Sequence, residues 1–235
     1  MAGALRDFTL DQAARISGAS WLLVILTGIA AEFFIRLPLI VTGDAAATAE
    51  NITANEGLFR IGIAADVIML VFDLIATVSL YTLFRPVHRG LVLLATFSRL
   101  IMNAVLAASL VHLSLVPVVL GGGDPRSEAV QRTVQYFLDA HGSGYDIALV
   151  FFGLHCFILG GIIYRSGYVP KFLGLLLLGA SLGYLIDSFA HVLLPAGNPL
   201  LAMTASALIG IAVLAELSLS LWLLAKGVAK RQVAA

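Results

Sequence analysis

The sequence predicts an all-α, polytopic integral membrane protein: a six-transmembrane-helix bundle with two short external surface helices, built as one domain over 1-235. Composition is the first reason. Hydrophobic residues make up 60% of the chain and charged residues 12%, with a mean hydropathy of +1.00, against about 25% charged in a soluble domain. The second is a series of six apolar stretches, each of the roughly 20 residues that a helix needs to cross a bilayer. The third is the way basic residues collect at alternate ends of those stretches. Lys+Arg 14 balances Asp+Glu 14, so net charge points to no nucleic-acid partner. The one cysteine, Cys156, excludes a disulfide framework and a cysteine metal cluster.

A short polar leader with Arg6, Asp7 and Asp11 precedes the first span, 13-36. Acidic residues on both sides of its apolar run argue against a cleaved signal peptide. In the connector 41-55, Asp44 reads as the N-cap of a first surface helix, with Gly57 as its stop. The second span, 57-84, ends in the basic turn Arg85-Pro86-Val87-His88-Arg89, and the third, 90-116, stops at Pro117 and Gly121 to Gly123. Asp124-Pro125 reads as an N-cap followed by proline at the first helical position. It opens a second surface helix, running to Asp139, with Val130, Val134, Phe137 and Leu138 on one face. The fourth span is 144-164, the fifth is 172-194 after a second basic turn, and the sixth is 200-225, beyond a short turn from Pro195 to Pro199.

Orientation follows. Arg6, Arg15, Arg85, Arg89, Arg165, Lys171, Lys226, Lys230 and Arg231 fall on one side. Arg36, Arg60, Arg126 and Arg132 share the other with Asp44, Glu50, Glu56, Asp124, Glu128 and Asp139. The positive-inside rule then predicts an inner-membrane protein with cytoplasmic N- and C-termini and both long connectors outside.

Ionisable residues inside an apolar span are costly and point to function. In Gly183 to His191, GYLIDSFAH, Asp187 and His191 lie four residues apart on one helix face. At about 1.5 Å per residue Asp187 lies roughly 24 Å from the cytoplasmic end of its span. Glu32, Asp66, His112, Tyr145 and Asp146 share that outer level, with His141 just outside it. Asp73, Arg99, His155 and Glu216 form a deeper tier. Glu32 and Arg36 are spaced as a salt bridge, and Asp73 and Arg99 as a structural ion pair with Asn103 as a further partner. Glu216 is expected either neutral or against Arg99 or His155, and Tyr184 as a helix anchor. Gly28, Gly62, Gly153, Gly160, Gly161, Gly174, Gly179 and Gly183 read as close-packing positions.

A repeat is also legible. Asp66 precedes Arg85 by the nineteen positions that separate Asp146 from Arg165, and Gly62, Phe72 and Leu74 fall on Gly142, Phe152 and Leu154. Read as a duplicated hairpin, the repeat makes Asp66 with His112 and Asp146 with His191 equivalent pairs facing each other near the outer surface.

Several segments carry a resemblance: AAEFFIR (30–36), GDAAATAENI (43–52), GLFRIGIAADV (57–67), GYDIALVFFGLHCFILG (144–160), YRSG (164–167) and GYLIDSFAHVLLP (183–195). Together they resemble the uncharacterised bacterial membrane-protein family catalogued as domain of unknown function 4386. The resemblance implies a multi-pass inner-membrane protein and brings no activity, cofactor or catalytic residue. P-loop, GxSxG and HExxH motifs are absent.

The candidate site is an outward-facing pocket lined by Asp66, His112, Tyr145, Asp146, His155, Asp187 and His191. It suits binding or transport of a small polar solute or proton, because histidine and buried carboxylates both titrate near neutrality. His112, Asp146, Asp187 and His191 are also candidate ligands for a divalent metal, which a membrane-embedded hydrolase acting on lipid would use. A third reading makes every polar residue an internal tie of a structural or partner-binding protein. The partners expected are the bilayer and a small polar ligand or lipid; oligomeric state is not legible.

Overall fold

The computed structural model describes residues 8–194 and 198–228, with the backbone alone for 199–209. Arg6, Asp7, Lys230, Arg231 and the 195–197 part of the last connector lie outside the described residues. Among those described, every regular element is helical: α1 (Leu10–Leu39), α2 (Ala45–Ala54), α3 (Glu56–Gly122), α4 (Glu128–Ser166), α5 (Lys171–Leu193) and α6 (Pro199–Lys226). Four of them, α1, α3, α4 and α5, are long and apolar enough to cross a membrane.

Local chemistry accounts for the ends. Thr9 and Gln12 form a capping box that starts α1. Within α1, Ala30–Arg36 is a π-helical stretch, a widened turn common at functional positions. Asp44 caps α2 as its sequence position predicts, accepting from Ala47 N at 2.9 Å. That helix stops at Ala54, and Gly57 already lies inside α3.

The basic turn after the second predicted span is far tighter than a loop. Helical backbone runs on through Pro86, and only His88 leaves it, at φ −160° and ψ 90°. One extended residue folds α3 into two antiparallel arms, 56–87 and 89–122. Straight, its 67 residues would reach about 100 Å, several times the hydrocarbon core.

Three further boundaries differ from expectation. The third span does not stop at Pro117; helix continues to Gly122, because each arm lies against neighbours that hold it. Asp124 is no N-cap: its carboxylate accepts from Arg126 N at 3.0 Å, an Asx-turn, and the helix begins at Glu128. The second surface helix is not separate but the first part of α4. Gly142 and Gly144 both keep negative φ and so do not end it. Gly144 is there for contact, since a Cβ would meet Ser109 at 2.6 Å. A true stop comes at Gly167, which is left-handed at φ +69° and ends α4.

The helices close a ring: α1 packs on α3 and α6, α3 on α4, α4 on α5, and α5 on α6. Glycine sets the closest crossings. A Cβ on Gly160 would lie 2.8 Å from Gly174 O, and one on Gly174 2.7 Å from Gly160 O. Gly18 meets α6 backbone at Ser220 O and Leu224 N, a contact the sequence did not single out. Gly161 and Gly179 face open space, so they are not packing positions.

The polarity of the bundle is inverted relative to a soluble protein. Phe34, Val78, Val111 and Leu214 are exposed, whereas Asp66, Asp73, Arg99, His155 and Glu216 are buried. Apolar side chains outside and paired charges inside are what a lipid solvent selects.

Candidate functional site

The deeper buried charges form one network to which α1, both arms of α3, α4, α5 and α6 all contribute. Arg99 on the second arm donates to Asp73 on the first through Nε at 3.0 Å and Nη2 at 2.5 Å. Asn103, one turn beyond Arg99, donates to the other carboxylate oxygen and to Arg99 O. The guanidinium lies 4.3 Å from the Trp21 ring centroid and 5.3 Å from that of Phe152, so a desolvated cation is held by two aromatic faces as well as by its counter-ion.

His155 completes the guanidinium shell. Its Nδ1 lies 2.8 Å from Ala95 O, which can only accept, so Nδ1 carries the proton. Nε2, 3.1 Å from Arg99 Nη1, is then the acceptor, and the ring is neutral. His155 is thus a positioned core histidine, 2% exposed, away from the outer level.

Glu216 does not bond Arg99 or His155. Its Oε2 accepts from Trp21 Nε1 at 2.9 Å and its Oε1 from the Tyr184 hydroxyl. Tyr184 is more than an anchor: its ring also sits 5.1 Å from Phe152, edge to face. The polar-network roles of Trp21, Phe152 and Tyr184 are not legible in sequence, because an aromatic in an apolar span looks like any other packing residue.

At the outer level the expected pocket divides. Asp66, 2% exposed, is bound by both terminal nitrogens of Arg36, whose Nε also contacts Glu32 at 2.7 Å. The predicted Glu32–Arg36 bridge is therefore one half of a three-group cluster, and the widened turn 30–36 carries the arginine that joins it. Asp66 is paired with Arg36 rather than with His112. His112 bonds Ser109 O at 3.2 Å and lies against Phe137. His141 contacts Ser109 Oγ at 3.2 Å and the Tyr145 ring edge-on.

Of the remaining three predicted residues, Asp187 and His191 are in contact. His191 Nδ1 is 3.0 Å from Asp187 O and 3.8 Å from Asp187 Oδ2. Asp146 on α4 lies within electrostatic reach of both. Asp187 is buried, Asp146 half-buried and His191 exposed, so the group is graded from solvent inward. Tyr184 follows on the same face of α5, three residues before Asp187, and connects that end to Glu216. Among the described residues, no three His, Cys, Asp or Glu side chains converge to hold a metal ion. His112, the fourth candidate ligand, is engaged elsewhere.

A family model described as "Domain of unknown function (DUF4386)" matches residues 16–227. An uncharacterized protein of Archaeoglobus fulgidus is 32% identical over 120 residues, which is 51% of this chain and 60% of that protein. The chain thus spans less than two thirds of that relative's length. No solved structure matches.

Proposed function

The chain belongs to the family of the domain of unknown function DUF4386, and from that premise we propose a six-span carrier of the inner membrane of a bacterial cell. It binds and transports a proton or a small polar solute through an outward-facing site of Asp146, Asp187 and His191. The observation that carries this reading is the graded line of ionisable groups along one side of α5. His191 and Asp187 stand at the open end, with Asp146 beside them, and Tyr184 reaches inward to Glu216. Histidine, carboxylate and phenol in series can each take and release a proton. A purely structural tie between α4 and α5 needs no such series.

The fold of α3 at His88, with α6 as a last crossing, supports the reading of six spans. Charge supports cytoplasmic termini. Among the described residues, Arg15, Arg85, Arg89, Arg165, Lys171 and Lys226 lie at one end against Arg36, Arg60, Arg126 and Arg132 at the other, an excess of basic residues that favours the first end as cytoplasmic. The Asp73–Arg99–Trp21–His155 network is the tie that holds the spans around the path.

Reconstitution tests the reading. Proteoliposomes with an internal pH dye and an imposed proton gradient should show faster dissipation than protein-free vesicles. His191→Ala, Asp187→Asn and Glu216→Gln should each slow it. Dissipation equal to that of empty vesicles, or unchanged by all three substitutions, overturns it.

A further inference from the structure

A cavity of about 390 Å³ opens at the opposite end of the molecule from Asp146, Asp187 and His191, between the end of α4, the start of α5 and the end of α6. Two glycines in the left-handed region make it. Gly167 (φ +69°) and Gly227 (φ +63°) stop α4 and α6 and turn the chain aside, and both line the space. Tyr168, Val169, Trp222 and Val228 give it apolar and aromatic walls, and Lys171 and Lys226 are its cations.

Three features bear on what it can hold. Both lysines are exposed and neither has a carboxylate partner among the described residues: Asp11, which abuts Gly227, is paired with Arg15 at 2.9 Å, and Lys171 only approaches the Tyr164 ring, at 5.4 Å. The Trp222 indole N–H is buried yet has no hydrogen-bond partner, which is unusual for a buried donor. The cavity also combines two positive charges with a mostly apolar lining. A small hydrated anion would satisfy the lysines and leave the walls bare. An amphiphile satisfies both.

We propose that this cavity binds the phosphate-bearing headgroup of an anionic phospholipid of the inner leaflet, with Lys171 and Lys226 as the cations and the Trp222 ring as part of the apolar wall. Aromatic and basic side chains sit at headgroup level in membrane proteins, and basic recesses between helices on the cytoplasmic side take anionic lipids. The assignment rests on the cytoplasmic placement of this end and is independent of transport through the outer site.

Native mass spectrometry of the detergent-purified full chain, titrated with phosphatidylglycerol and separately with phosphatidylcholine, tests it. The wild type should hold phosphatidylglycerol about tenfold or more tightly than phosphatidylcholine. Lys171→Gln with Lys226→Gln should abolish that preference while leaving thermal unfolding unchanged. If the glutamine variant does not fold, Lys171→Arg with Lys226→Arg should keep the preference. Equal wild-type affinity for the two lipids overturns the proposal. So does displacement of phosphatidylglycerol by an equal concentration of inorganic phosphate, which would make this a site for the free anion.

Discussion

Arg99 and Asp73 stand 26 residues apart in one helix, yet Arg99 Nη2 lies 2.5 Å from Asp73 Oδ1. In a straight helix the separation would be about 39 Å. The contact exists because His88 folds the helix upon itself, and the same contact holds the two arms together where no water can screen it. Either neutral replacement, Asp73→Asn or Arg99→Gln, should cost about 3–5 kcal/mol by stranding the partner. The charge-swapped pair should recover only part, since a guanidinium at position 73 loses Trp21 and Asn103. Unfolding in detergent, arranged as a double-mutant cycle, measures this; zero coupling would refute the pairing.

Glu216 depends on two donors from different helices. Tyr184→Phe should destabilise by about 1–3 kcal/mol, the cost of leaving a buried acceptor unpaired. Combined with Glu216→Leu, which removes the acceptor, the same replacement should cost much less. Equal losses in both backgrounds would mean that the Tyr184 hydroxyl acts on something other than Glu216.

The outer cluster should behave differently from the core. His191→Ala and Asp187→Asn lie close enough to the interface for neighbouring groups to rehydrate, and each should lower the unfolding midpoint less than Arg99→Gln does. A melting loss matching that of Arg99→Gln would show these residues to be structural ties.

Glycine positions supply a paired control. Gly160→Ala puts a methyl against Gly174 O, and overpacking of this kind costs about 1–3 kcal/mol. Gly161→Ala, next in sequence and facing open space, should change stability by no more than about 0.5 kcal/mol. Equal stabilities of the two variants would contradict the α4–α5 crossing.

Orientation is testable by reporter fusions. Those after Arg89 and after Arg165 should read cytoplasmic, and one near Ala129 external. The reverse pattern would invert the reading of both ends of the molecule.

Composition and the spacing of apolar runs were enough to read the helical class, the capping of α2 by Asp44 and the pairing partners Glu32–Arg36 and Asp73–Arg99. These depend on i, i+4 spacing or on arms joined by a short turn, and both are local in sequence. What sequence could not supply was choice among partners at equal depth. Asp66 and His112 share a level, as do Glu216 and Arg99, but level along a helix says nothing of rotation about it. Only the packed bundle decided that the π-helical turn of α1 carries Arg36 to Asp66, and that Glu216 meets Trp21 and Tyr184. Helix ends were misjudged for a related reason. Pro117 and Gly142–Gly144 weaken a helix by amounts that tertiary contacts outweigh, whereas Gly167 ends one because its left-handed backbone leaves the helical path altogether.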